Sequence, residues 1–269
     1  RTYKFDSFIF RPDYWGQMAL LSSKSFNLRN YQDGNYQIRD YFISGDFNGD
    51  GITDIIRTEY PLNYKDNRYD HYSTQLEIID LKNDVVYNNQ IIPIGFAYYV
   101  VDTDGDGYDE FVVARHQNIL VYKFNQNANK LEHSYTINAP GLSYTENTKN
   151  RLFMGDFNGD GKLDFVIPVA KGSYDWIFYI NKGNGNFKYI YKNIGIKYTE
   201  NVEQHVYQSG FYKYSYGEEP NIMFQDINND GKTDIIKACD YYYRKGNGDD
   251  YNNETQIAFF DNLKFDADN

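Results

Sequence analysis

Cysteine is almost missing from this chain: Cys239 stands alone among 269 residues. No internal disulfide can form, and no group of thiolates can hold zinc. Long apolar runs are missing too. Mean hydropathy is −0.73, and no window approaches the ~18 consecutive apolar residues that a membrane-spanning helix needs, so no membrane insertion is expected. Basic residues are scarce, with 27 Lys and Arg against 38 Asp and Glu and a net charge of −11. Nucleic-acid binding relies on clustered cations that neutralise phosphates, and no nucleic-acid partner is expected. The four histidines, His71, His116, His133 and His205, fall in unrelated contexts, and neither H-E-x-x-H nor G-x-S-x-G occurs. The acid pairs Glu218-Glu219 and Asp249-Asp250 define no glycosidase or lyase geometry. No catalytic residue is predicted. The chain starts at Arg1 without an apolar leader, so a processed form or a fragment of something longer is expected.

What is present is repetition. Gly45-Asp46-Phe47-Asn48-Gly49-Asp50-Gly51 returns unchanged as Gly155-Asp156-Phe157-Asn158-Gly159-Asp160-Gly161. Two looser copies begin at Asp102 and Asp226, so the first aspartates step by 56, 54 and 70 residues. Each copy follows a short apolar run and precedes a second one richer in β-branched residues. Runs this short, bounded by Gly and Asp, read as strands. Further strands are predicted at 3–10, 17–21, 75–79, 119–124, 176–180 and 256–260. No segment of helical length carries sustained 3.6-residue periodicity, and the predicted fold is all-β.

Within each copy, oxygen-bearing side chains occupy positions 1, 3 and 5, glycine occupies position 6, and a carboxylate occupies position 9. These are Asp46, Asn48, Asp50, Gly51 and Asp54 in the first loop, and Asp102, Asp104, Asp106, Gly107 and Glu110 in the second. The third has Asp156, Asn158, Asp160, Gly161 and Asp164, and the fourth Asp226, Asn228, Asp230, Gly231 and Asp234. Alternate side chains of a tight turn converge, and carboxylates that converge repel one another unless a cation lies between them. The backbone carbonyls of Ile52, Tyr108, Lys162 and Lys232 at position 7 can add another oxygen. All-oxygen ligation without His or Cys selects a hard ion, and five or more protein oxygens favour Ca²⁺ over Mg²⁺. About four Ca²⁺ ions are expected, one per loop. An EF-hand loop needs an acid at position 12, where this chain has Arg57, Val113, Ile167 and Lys237. The same count disfavours dockerin-type and thrombospondin-type loops.

At these residues the sequence resembles the FG-GAP and VCBS repeat families, whose repeats carry D-x-[DN]-x-D-G-x-x-[DE] before an apolar strand. Asp46 to Ile56, Asp102 to Val113, Asp156 to Ile167 and Asp226 to Ile236 fit that pattern. Ile180 to Phe187 is similar to the families' N-x-G-x-G-x-F segment between strands. The resemblance covers about 40–269. It implies a β-propeller of four-stranded antiparallel blades with one calcium loop per blade, as in integrin α chains. It also implies relatives among secreted bacterial lectins, polysaccharide lyases and toxin-complex propellers. On that basis one domain is expected over 1–269, with a partial closing blade at 1–40 and repeats at 41–97, 98–150, 151–221 and 222–269. The length gives about five blades, or part of a seven- to eight-bladed ring. The pieces at 3–10 and 17–21 could complete a blade with 256–265, removing exposed sheet edges.

Aromatic residues make up 19% of the chain, including 29 Tyr. Tyr60, Tyr64, Tyr69 and Tyr72 cluster, as do Phe211, Tyr212, Tyr214 and Tyr216, and Tyr241, Tyr242 and Tyr243. These read either as half-buried strand residues or as a partner surface. The latter has more force for 192–220, where the repeat spacing swells, since long insertions in repeat arrays often bind. Cys239 reads as a buried strand residue. The Lys-Gly-Asn-Gly runs at 182–185 and 245–248 read as hairpin turns.

The expected function is a calcium-stabilised binding or scaffold module, extracellular or at the cell surface, of adhesin, lectin or toxin-associated type. Its ligand would be a protein or a glycan, or other segments of a larger chain. Millimolar extracellular calcium fills sites too weak to load in the cytosol. The alternatives are a polysaccharide-acting lyase or hydrolase on a propeller scaffold, and a propeller segment of a toxin complex.

Overall fold

The computed structural model describes residues 3–12, 18–28, 32–33, 36–37, 40–59, 73–142, 144–145, 148–149, 152–170, 173–196, 206–208, 211–214, 221–245 and 251–260. Among these there is no helix. The chain divides into two compact units, one formed by 1–101, 107–113 and 121–134, the other by 102–106, 114–120 and 135–269. Of the residues singled out in the sequence, Tyr60, Tyr64, Tyr69, Tyr72, Tyr216, His71, His205, Glu218, Glu219, Asp249 and Asp250 lie outside the described residues. So do the side chains of Phe211, Tyr212, Tyr214, Cys239 and Tyr241 to Tyr243.

The strands begin with a hairpin of β1 (Tyr3–Pro12) and β2 (Met18–Leu28). A two-residue pair, β3 (Gln32–Asp33) and β4 (Tyr36–Gln37), follows. The first four-stranded sheet runs in sequence order through β5 (Asp40–Gly45), β6 (Asp54–Glu59), β7 (Ser73–Asp80) and β8 (Val85–Pro93), antiparallel at every step. The second has the same order, with β9 (Ala97–Val101), β10 (Glu110–Arg115), β11 (Asn118–Asn125) and β12 (Lys130–Asn138). After a short pair, β13 (Tyr144–Thr145) and β14 (Thr148–Lys149), comes the third sheet. It contains β15 (Phe153–Gly155), β16 (Asp164–Pro168), β17 (Asp175–Asn181) and β18 (Phe187–Asn193), again antiparallel throughout. In each sheet the acidic loop joins the first two strands, as the flanking apolar runs predict.

The fourth sheet departs from this order. β19 (Val206–Gln208) and β20 (Phe211–Tyr214) form a hairpin, and β20 pairs with the far end of the twelve-residue β22 (Asp234–Lys245). β21 (Asn221–Gln225) pairs with the near end of β22, while β23 (Tyr251–Phe260) runs along its other edge. The swollen stretch after residue 192 therefore contributes strands to the sheet, in keeping with the strand propensity of Phe211-Tyr212-Lys213-Tyr214. Among the described residues β1 pairs only with β2, and β23 only with β22.

Burial follows strand position. β10, β16 and nearly all of β17 are buried residue after residue, as expected of apolar strands covered on both faces, whereas β12 and β18 alternate. In the second unit Phe157, Val166, Trp176, Phe178, Ile180 and Ile235 share one core, against which Phe153 and Phe224 pack. The Phe153 and Phe224 rings are 4.6 Å apart, and Phe157 meets Phe178 edge-on at 5.2 Å. Trp176 Nε1 donates to the Ile196 carbonyl at 2.9 Å, so its one polar atom is satisfied inside.

A buried ion pair stands in the first sheet. Arg57 on β6 and Glu77 on β7 are directly opposed in register, and Arg57 Nη1 lies 2.7 Å from Glu77 Oε2 with both side chains at most 1% exposed. Removing one partner of a buried pair leaves a charge without solvent, at a cost of about 3–5 kcal/mol. Arg57→Met is expected to lose that much stability in urea unfolding. A loss below 1 kcal/mol would show that water reaches Glu77.

Candidate metal centres

The first, third and fourth loops are built by the same local hydrogen bonds, whereas in the second the N–H groups of Asp104 and Gly105 donate to Asp102 Oδ1. In the first, the Asp50 N–H donates to both Asp46 Oδ1 and Asn48 Oδ1 at 3.0 Å, and the Gly51 N–H donates to Asp46 Oδ2 at 2.8 Å. The third repeats this: Asp160 N–H to Asp156 Oδ1 and Asn158 Oδ1 at 3.1 and 2.9 Å, Gly161 N–H to Asp156 Oδ2 at 2.7 Å. The fourth does so through Asp230 and Gly231. One N–H shared by two side-chain oxygens brings positions 1 and 3 together. In the second loop Asp102, Asp104 and Asp106 each place a carboxylate oxygen within 4.8 Å of the others. The turn demands left-handed backbone at position 6, where Gly51, Gly107, Gly161 and Gly231 have φ between 79° and 86°. An added Cβ there would meet nothing within 4 Å, so backbone conformation rather than space requires glycine.

Position 9 closes the loop from the next strand. Asp164 Oδ2 accepts the Phe157 N–H at 3.0 Å, and Asp234 Oδ2 accepts the Ile227 N–H at 3.1 Å. Asp54 and Asp164 are almost wholly buried, at 1% and 0% exposure. Burial, reinforced by Asp80, Asp50 and Asp46, pushes the Asp54 carboxyl up to about 7. Burial does the same to Asp164, with Asp156 and Asp160 adding to it and the Asn181 and Phe157 N–H groups opposing it. Asp54 Oδ1 has no hydrogen-bond partner among the described residues. Among the described residues, the group of three acids that bring oxygens within 4.8 Å of one another is Asp102, Asp104 and Asp106; the acids of the other three loops do not converge that closely. Asp46, bonded to two N–H groups, still has lone pairs for an ion.

The loops differ in what competes. Glu110 Oε1 lies 3.1 Å from Lys123 Nζ, so the second loop's position-9 acid has a protein cation as partner. In the third loop Lys162 Nζ lies 3.2 Å from Asp160 Oδ2. Burial works against ionisation of Asp160, but the Lys162 N–H, the Lys162 ammonium and the Asn158 amide outweigh it and hold the carboxyl below its ordinary value. At position 7, the N–H groups of Ile52, Lys162 and Lys232 donate to the position-5 carboxylates of their own loops.

Several residues that the sequence pattern left aside matter here. Phe47 and Phe157 at position 2 are buried and anchor their loops in the core. Successive loops are also stitched. The Asp109 N–H donates to the Asp46 carbonyl at 2.9 Å, and Asp109 Oδ2 accepts the Asp46 N–H at 2.8 Å. The Thr233 N–H donates to the Asp156 carbonyl at 2.6 Å, the same position-8 to position-1 contact in the other unit. Asn181 Nδ2 reaches the carbonyls of Thr103 and Leu163. This explains the leading glycine of the repeated heptapeptide: a Cβ on Gly45 would lie 2.3 Å from Val100 Cγ1, and one on Gly155 2.5 Å from Thr233 Cγ2.

Sheets of four sequential strands, each with an acid-lined loop between its first two strands, define a class of repeat protein built from propeller-like blades. Residues 102–167, from the second loop through the third, match the family model of the FG-GAP-like repeat, and the chain carries that repeat there. No curated protein matches the chain.

Stability of the ion-free chain should depend on pH through Asp54 and Asp164. Each binds its proton more tightly folded than unfolded, where the carboxyl titrates near 3.8. The folded state therefore holds more protons between about pH 4 and 7, and stability falls as pH rises through that window. In chelator, Tm is expected to be higher at pH 5 than at pH 8, with added Ca²⁺ restoring the loss at pH 8. A chelated protein whose Tm rises from pH 5 to 8 would contradict this.

Proposed function

We propose that the chain is a calcium-stabilised binding or scaffold module of propeller type, working where calcium is millimolar, outside the cell or at its surface. The observation that carries this reading is the pair of buried position-9 carboxylates, Asp54 and Asp164, both held near neutrality and one with an oxygen unpartnered among the described residues. An ion at each loop would accept the converging oxygens and let these acids ionise. Asp46, Asn48, Asp50 and Asp54 would hold the first; Asp102, Asp104, Asp106 and Glu110 the second. Asp156, Asn158, Asp160 and Asp164 would hold the third, and Asp226, Asn228, Asp230 and Asp234 the fourth. The carbonyls of Ile52, Tyr108, Lys162 and Lys232 complete the sets. Because the unfolded chain cannot assemble such sites, binding adds to stability by mass action, about 2.7 kcal/mol per site at a hundredfold excess over Kd.

The FG-GAP-like repeat at 102–167 supports a binding role, for which a protein or a glycan is the partner we propose. In the first unit an open cavity of about 510 Å³ is lined by Tyr87, Gln90, Tyr122, Lys130, Glu132 and His133 among others.

Native mass spectrometry is expected to count about four Ca²⁺ per chain. Exhaustive chelation should lower Tm by several degrees, at roughly 2–4 °C per kcal/mol. Asp156→Ala should lose one ion and leave the others. An unchanged melting transition in chelator would overturn the calcium reading.

A further inference from the structure

We propose that Asn184, at the tip of the β17–β18 hairpin, is a site of spontaneous covalent modification, where the side-chain amide is lost to the neighbouring backbone and the tip becomes aspartate or isoaspartate. The dipeptide Asn-Gly occurs three times among the described residues, as Asn48-Gly49, Asn158-Gly159 and Asn184-Gly185. In each, the glycine nitrogen can attack the asparagine Cγ, because glycine has no Cβ to shield it. The fold holds these reacting groups differently at the three places.

Two of them are tied down inside acidic loops. Asn48 Oδ1 accepts the Asp50 N–H at 3.0 Å, and Asn48 Nδ2 donates to Asp80 Oδ2 at 3.5 Å. A Cβ on Gly49 would collide with the Tyr108 ring, so that backbone is covered. Asn158 Oδ1 accepts the Asp160 N–H at 2.9 Å, while the Gly159 N–H donates to Asp156 Oδ1 at 2.7 Å. Reaction at either place breaks contacts that build the loop.

The hairpin tip is held by backbone alone. The Asn186 N–H donates to the Gly183 carbonyl at 3.0 Å, and Asn184 and Gly185 have φ of 55° and 73°, as a type I′ turn requires. Asn184 is exposed, and its side chain makes no hydrogen bond among the described residues. Its Cγ is therefore free to rotate onto the Gly185 nitrogen. A bond forms between Gly185 N and Asn184 Cγ, the Cγ–Nδ2 bond breaks, and Nδ2 leaves as ammonia with the proton that Gly185 N gives up. Water then opens the cyclic imide at either carbonyl, which restores the Gly185 N–H and leaves aspartate or isoaspartate.

The change would be felt in the second loop. A Cβ on Gly185 would lie 2.9 Å from Tyr135 Cγ, so the tip rests on that ring. The Tyr135 hydroxyl meets Thr103 Oγ1 at 2.8 Å, and Asn181 Nδ2, at the base of the tip, donates to the Thr103 carbonyl at 2.9 Å. Thr103 stands between Asp102 and Asp104. Isoaspartate lengthens the main chain by a methylene and lifts Gly185 off the ring. None of this requires a bound ion.

The test is prolonged incubation of the full folded chain at mildly alkaline pH, followed by tryptic mapping with mass spectrometry. The peptide Gly183–Lys188 should gain the mass of amide-to-acid conversion several-fold sooner than the peptides carrying Asn48 and Asn158, and an isoaspartyl methyltransferase should label it. Asn184→Gln should abolish both signals. Conversion at Asn48 or Asn158 as early as at Asn184 would overturn the proposal. So would an unconverted Gly183–Lys188 after an incubation in which the same synthetic hexapeptide converts. In the converted chain the Tyr135 ring and Thr103 methyl resonances should move; were both to stay in place, the link to the second loop would fall.

Discussion

Carboxylates crowded into a tight turn repel, and relief of that repulsion is the constraint on which the rest of this structure depends. The loops address part of it without any ion. Backbone N–H groups at positions 5, 6 and 7 point at the carboxylates of positions 1 and 5, and the turn's left-handed glycines allow those N–H groups to do so. Amide dipoles do not neutralise a buried carboxylate, however. Asp54 and Asp164 are raised to about 7 by burial, so at neutral pH these two acids still hold a proton in part.

The loops are also where the repeats join. Position 1 of one loop accepts from position 8 of the next at both Asp46–Asp109 and Asp156–Thr233. Phe47 and Phe157 fix their loops to the core, and the Gly45 and Gly155 contacts leave no room for a Cβ. A cation that orders the loop therefore also orders the strand edges on which the next sheet is placed. On the calcium reading proposed above, an ion's effect would extend beyond its own turn, and a chain with a single cysteine has no internal disulfide to perform that task.

The loop pattern and its flanking strands were legible because both are local: short apolar runs bounded by Gly and Asp, glycine at a required φ, and acids at fixed spacing. The Asn48–Asp80 hydrogen bond was not legible, since Asp80 comes beside the first loop only through the return of β7, 26 residues after Asp54. Lys123 opposite Glu110 was hidden for the same reason, and so was the role of Asp109, masked by its stronger neighbours in an acidic run. The Arg57–Glu77 pair showed only as a missing acid at position 12. The stretch 192–220 left two readings open, strand tyrosines or a binding insertion; Val206–Gln208 and Phe211–Tyr214 within it are strands, which spacing alone does not tell because it measures length and not pairing.

Hydrogen exchange at the Asp109 and Thr233 amides, with and without calcium, tests the central claim most directly. Both amides lie outside the ligand sets and donate only across repeats. If ions hold loop and sheet junction together, calcium slows exchange at both sites and chelation restores it. Equal exchange rates in calcium and in chelator would contradict the account.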